Sequence, residues 1–231
     1  MKHVDLRPLY LYSLIMNIKN IIRRQFRDSN IYNITYWLIG INLVIFLLSR
    51  VLGSDVRNLM YYFLSMVPAT VIKGWVWSFI TYMFMHADFG HVFFNMLGLF
   101  FFGVQIERQM GSKEFLLFYI VTGALAGVLS FFIYYLTGNL VVFLMGASGA
   151  LYAVLLAFAV LNPTSVIYIW GILPLRAPVM VLVYTILSFF FIATGSGGNI
   201  AHLTHLAGFL FGWLYLQLRL GENPWKRLTR R

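Results

Sequence analysis

Cysteine is absent from the 231 residues of the chain, which excludes disulfides, iron–sulfur clusters and thiolate metal sites and leaves the redox compartment open. Charge is scarce too. Asp, Glu, Lys and Arg make up 10% of the sequence, against about 25% in an ordinary soluble domain. Positions 115–175 and 177–218 contain none of them. Uncharged runs of that length exclude a soluble fold, because only several membrane spans joined by short loops accommodate them. Acids are the rarer sign, seven against 17 bases, and none falls near the middle of a span, which disfavours a proton-coupled transporter. What fills the chain is apolar: 61% hydrophobic residues, 18% aromatics and a mean hydropathy of +0.81. The net charge of +10 sets topology in such a protein before it suggests a polyanion, so no nucleic-acid partner is expected.

In the first 33 residues Leu11, Leu14, Ile15, Ile18, Ile22 and Phe26 recur at helical spacing, with Ser13, Asn17, Asn20 and Arg24 on the opposite face. This predicts a basic amphipathic helix lying on the membrane surface. A signal peptide is the rival, but the apolar stretch is short and no small-x-small cleavage site follows. Six spans are predicted, at 34–49, 91–110, 115–137, 147–162, 177–193 and 201–218. Residues 51–85 are apolar and aromatic but broken by Asp55, Arg57, Pro68, Lys73 and Gly74, and their uncharged pieces fall short of the ~20 residues a span needs. Parity decides how to read them. Six spans put both basic termini, Arg108, Lys113 and Arg176 on one side and leave only Arg50, Arg57 and Lys73 on the other, as the positive-inside bias requires. Region 51–85 is then a long outer loop, partly sunk into the lipid interface by Trp75, Trp77 and Tyr82. With no internal repeat or low-complexity segment, the expected scheme is a basic N-terminal segment 1–33, one six-span domain 34–218 and a basic cytoplasmic tail 219–231. We read an all-α, multi-pass membrane protein, surrounded by lipid, with both termini cytoplasmic.

Polar groups inside a bilayer are costly and call for a reason. His86, His91, His202 and His205 all fall at the outer ends of the second and sixth spans, together with Asn95, one helical turn beyond His91. Ser148, within Gly146-Ala147-Ser148-Gly149, lies at the start of a fourth span that must stop by Asn162-Pro163. Sixteen residues rise only ~24 Å, less than the ~30 Å hydrocarbon core, so this helix start is recessed below the outer surface, beside protein or a wet cavity. Free N–H groups and the helix dipole there suit a nucleophile whose attack creates an oxyanion. In the last span Gly208 and Gly212 form a small-xxx-small seam with His205 three residues before Gly208. Gly146, Gly149 and Ala153 offer a matching surface around Ser148. Two such helices approach closely and bring His205 within reach of the Ser148 hydroxyl, the relation a nucleophile and its base require. No carboxylate lies in the outer halves of the spans. Asp88 alone is on the right side near the second span, so the reading is a Ser–His dyad with Asp88 the one candidate for a third member.

The segments His86-Ala-Asp-Phe-Gly-His91-Val-Phe-Phe-Asn95, Gly146-Ala-Ser148-Gly149 with Tyr152, and His205-Leu-Ala-Gly208 together resemble the rhomboid intramembrane serine proteases. The likeness covers about residues 34–218. It implies a six-helix bundle with a membrane-embedded first loop, no cofactor or metal, and single-span membrane proteins as substrates, cut near the outer end of the span. It further implies Ser148 as nucleophile, His205 as base, and His91 and Asn95 joining the Ser148 backbone N–H in the oxyanion hole. By the same resemblance Tyr152 packs on the His205 ring, His86 holds the outer loop and Gly208 permits close packing. Two departures stand out. The family often has Trp-Arg in the first loop, where this chain has Trp77-Ser78, and Glu-x-Arg after the second span, where it has Glu107-Arg108-Gln109.

Two other readings compete. The pairs His86/His91 and His202/His205 look like the histidine boxes of a membrane metalloenzyme, although no carboxylate accompanies them within a span. A catalytically inactive rhomboid-like protein that binds membrane proteins without cutting them is the other; the presence of both Ser148 and His205 argues against it.

Overall fold

Helix α1 (Ile34–Val51) begins with backbone N–H groups that no residue of its own first turn caps. In the computed structural model, which describes residues 31–169, 172–194 and 199–229, the cap comes from far along the chain. The Glu107 carboxylate accepts from the N–H of Ile34 (2.7 Å), the N–H of Thr35 (2.8 Å) and the Thr35 hydroxyl (2.7 Å), and also from the Ser112 hydroxyl. An acid at a helix N-terminus satisfies orphan donors and favourably meets the helix dipole. The amphipathic helix expected before residue 31 lies outside the described residues.

The chain is mostly helical. After α1 come α2 (Gly53–Leu64), α3 (Phe89–Met110), α4 (Ser112–Leu136), α5 (Ser148–Leu161), α6 (Ala177–Thr194), α7 (Asn199–Leu218) and the short α8 (Pro224–Leu228). Among the described residues four helices, α1, α3, α4 and α6, are long and apolar enough to cross a membrane. Helix α5 is central and has only 14 residues; Ala150, Ala153, Ala157 and Ala159 are fully covered, because small side chains let α3, α4, α6 and α7 all close upon it. Glu114 ties the start of α4 to the end of α7: it accepts from Arg219 Nε (2.6 Å) and from the Tyr215 hydroxyl (2.5 Å).

Three features differ from the sequence reading. Residues Val166–Ile169 and Leu173–Arg176 pair as an antiparallel hairpin, with Val166 opposite Arg176 and Ile169 opposite Leu173. The chain is therefore not purely α; β-branched Val166, Ile167 and Ile169 favour the extended form, and Pro174 lacks the N–H a helix would use. Region 51–85 is not all loop, since it contains α2, a helix none of whose residues is buried. Within α3 the turn Leu99–Gly103 is π-helical, one residue more per turn than composition reveals.

The rest of the first loop packs tightly on the helices. Met66 and Leu144 exchange backbone hydrogen bonds of 3.0 and 2.9 Å, and Trp75 stacks on Trp77 at 5.2 Å. The Tyr82 ring is fully covered, and its hydroxyl donates to the Gly123 carbonyl at 2.7 Å.

Candidate active site

Ser148 is the first residue of α5, and the chain reaches it through a sharp bend. Gly146 has φ +115°, a conformation L side chains rarely adopt, and a Cβ there would stand 2.5 Å from Nε2 of His91. Glycine thus lets the His91 ring lie directly against the approach to Ser148. The bend is held by the Gly146 N–H donating to the Tyr82 carbonyl (2.9 Å) and by the Ala147 N–H donating to Nε2 of His86 (3.4 Å). His86 is fully buried, and burial, followed by neighbouring His91, depresses its pKa to about 3. It is therefore a neutral acceptor, with its proton on Nδ1. The His86 and His91 rings meet edge to face at 5.0 Å.

Helix α7 brings the second group. A Cβ on Gly208 would sit 2.1 Å from the Gly149 carbonyl oxygen, so only glycine allows α7 to cross α5 this closely. At that crossing Nε2 of His205 lies 2.9 Å from Oγ of Ser148. The Tyr152 ring, one turn along α5, stacks on the imidazole at 4.0 Å between centroids and 13° between planes, which fixes the ring's plane. Nδ1 of His205 is buried with no hydrogen-bond partner, so among the described residues no carboxylate orients it.

Asp88 serves elsewhere. Its Oδ1 accepts the His91 N–H at 2.8 Å, capping the start of α3. Its hydrogen bond thus goes to the His91 backbone, while Nδ1 of His205 has no partner. Asn95 is nearly covered, and its Nδ2 donates to the His91 carbonyl one turn back (2.7 Å), while its Oδ1 has no partner. His202 meets His205 edge to face at 5.7 Å and stacks on Phe191 of α6 at 4.7 Å. Among the described residues no group of three His, Asp or Glu has metal-holding geometry.

The two departures from the family pattern find local partners. Ser78 is buried and donates to the Trp75 carbonyl at 2.7 Å. Gln109 donates to the Asn162 side-chain oxygen at 3.0 Å, clasping the end of α3 to the end of α5. Sequence reasoning missed this amide pair, as it missed the buried hydroxyls of Ser130 and Thr204, 2.7 Å apart; no local pattern signals partners so distant in sequence.

Residues 73–222 match the family model of the Rhomboid domain, a stretch containing every site residue above. The chain is similar to RHOMBOID-like protein 12, mitochondrial, of Arabidopsis thaliana, 32% identical over 59% of this chain and 44% of the relative. To the rhomboid protease GlpG of Haemophilus influenzae it is 29% identical over 78% of this chain and 88% of the relative. To Rhomboid protein 1, mitochondrial, of Saccharomyces cerevisiae it is 32% identical over 79% of this chain and 52% of the relative. The chain thus spans about half the length of the two mitochondrial relatives and most of the bacterial one.

Proposed function

Because this chain belongs to the rhomboid family of multi-pass membrane proteins, we propose that it is an intramembrane serine endopeptidase with Ser148 as nucleophile and His205 as general base. The observation that carries the reading is the 2.9 Å contact between Ser148 Oγ and His205 Nε2 under the stacked Tyr152 ring. The bacterial relative, named a rhomboid protease, supports the activity.

The chemistry follows from the positions. His205 Nε2 takes the hydroxyl proton as Oγ bonds to the scissile carbonyl carbon. The carbonyl oxygen becomes an oxyanion, which the Ser148 N–H, His91 and Asn95 stabilise at the positive end of α5. The C–N bond then breaks, His205 gives its proton to the departing amine, and an acyl-enzyme remains. A water, deprotonated in turn by His205, releases the second product and restores Ser148. No cofactor enters any step.

In our reading α1, α3, α4, α5, α6 and α7 are the six spans, with the residues between α1 and α3 an embedded outer loop and both termini on the cytoplasmic side of a bacterial inner membrane. Substrates are single-span membrane proteins presented from the surrounding lipid.

Labelling by a fluorophosphonate in detergent tests the reading. Wild type should be modified at Ser148, while folded Ser148→Ala and His205→Ala should lose labelling and cleavage by roughly 10⁴-fold or more, since nucleophile and base act as a unit. Turnover by Ser148→Ala would sink the serine mechanism. Activity lost to EDTA and restored by zinc would favour the histidine-box reading instead.

A further inference from the structure

A chain of three hydroxyls lies beside the dyad, buried between α4 and α7, and the mechanism above does not use it. The oxygens of Ser130 and Thr204 are 2.7 Å apart, both side chains being almost completely covered. Tyr134, one turn along α4 from Ser130, adjoins both hydroxyls. Ser130 also gives a hydrogen bond to the Ala126 carbonyl one turn back on α4 (2.8 Å).

Thr204 immediately precedes His205 and therefore points about 100° away around α7. Its methyl carbon lies against Gly149, 3.1 Å from where a Cβ would stand. The glycine seam of Gly208 and Gly212 sets how closely α7 approaches α5. The seam selects the face of α7 that meets α5, but dispersion contact is not directional and resists small rotations about the helix axis only softly. A hydrogen bond is directional, and one buried among membrane helices has no water to replace it. Any rotation of α7 that withdraws His205 from Ser148 also pulls Thr204 off Ser130.

We propose that the Tyr134–Thr204–Ser130 chain positions the catalytic base: it fixes the rotation of α7 at which His205 Nε2 meets Ser148 Oγ, with Thr204 as the positioning residue. The inference rests on the serine-protease reading, and the test separates the two. Thr204→Val keeps the branched shape against Gly149 and removes the hydroxyl; Thr204→Ser does the reverse. On a single-span substrate Thr204→Val and Ser130→Ala should each lower kcat about tenfold with KM little changed, a modest misplacement of a reacting group being enough for that. Thr204→Ser should restore most of the rate, and the double variant Ser130→Ala/Thr204→Val should be no slower than either single one. Wild-type speed in Thr204→Val, or a Thr204→Ser as slow as Thr204→Val, would overturn the proposal, the second result assigning the effect to the methyl group. An independent readout is the ¹⁵N signal of the His205 imidazole, identified by its loss in His205→Ala. It should be single in wild type and Thr204→Ser but doubled or broadened in Thr204→Val. If wild type neither cleaves nor is labelled, the protease reading falls, yet an imidazole signal unmoved by Thr204→Val would still refute the positioning role and a doubled one would uphold it.

Discussion

Asn95 is held in a way that limits what it can contribute. Its amide donates to the His91 carbonyl at 2.7 Å, so serving an oxyanion requires it to turn and give up that bond. A preorganised oxyanion donor is worth about 10²–10³ in rate, and one that must reorganise is worth less. Asn95→Ala is therefore expected to slow cleavage by roughly 10- to 100-fold while Ser148 stays reactive to the phosphonate probe; wild-type kcat in this variant would return Asn95 to helix packing. His86 makes a different prediction. Its pKa is held down to about 3 from 6.5, so the folded protein binds that proton more weakly than the unfolded chain. The stability contributed by the neutral imidazole is complete above pH 6.5 and is lost as the pH falls towards 3. Thermal unfolding in detergent should show a midpoint that drops across this window more steeply in wild type than in His86→Gln, which keeps an acceptor but does not titrate there. Parallel slopes would assign the acid loss to other groups, His91 first among them.

Helix α7 carries its constraints in two glycines of unequal rank. An added Cβ would be 2.1 Å from the Gly149 carbonyl oxygen at Gly208 but 3.0 Å from Ala153 at Gly212. A backbone atom cannot swing aside, so Gly208→Ala must push α5 and α7 apart, at about 1–3 kcal/mol of overpacking. We expect Gly208→Ala to lower the thermal midpoint and slow phosphonate labelling at least about tenfold, with Gly212→Ala milder on both. The reverse ranking would show that the crossing does not set the dyad distance. The same glycines explain what could be read without coordinates. Uncharged runs set the helix positions to within a few residues, and small residues flanking Ser148 and His205 marked the two backbones that would approach. The hairpin at 166–176 was not legible because hydropathy treats an apolar strand and an apolar helix alike. Helix α2 was missed because it is short and buries no residue. Asp88 was weighed as a catalytic acid although its spacing from His91 also fits an N-cap, and only the backbone decides between these. Gln109 with Asn162 and Ser130 with Thr204 are 53 and 74 positions apart, so their pairing is a product of packing that no local pattern records.

If the chain is the protease proposed above, the whole molecule sets where its substrate is cut. Helix α5 has 14 residues, which rise about 21 Å, against ~30 Å of hydrocarbon. On the proposed topology the C-terminal end of α5, beside Gln109 and Asn162, lies near the inner surface, which puts Ser148 at the other end below the outer surface. The scissile carbonyl must come down to that level. A substrate helix keeps its carbonyls bonded to N–H groups four residues on, and a peptide under attack must be extended, so unwinding is part of the barrier. Good substrates should be single-span proteins with Gly or Pro near the outer end of the span, each lowering the cost of unwinding by about 1–3 kcal/mol relative to Ala. Replacing those residues with Leu should reduce cleavage without abolishing binding, because the span remains apolar. Mass spectrometry of the products locates the cut, which should fall at the outer end of the span and release the outer domain. A cut near the cytoplasmic end would contradict both the inward placement of the basic loops and the depth assigned to Ser148.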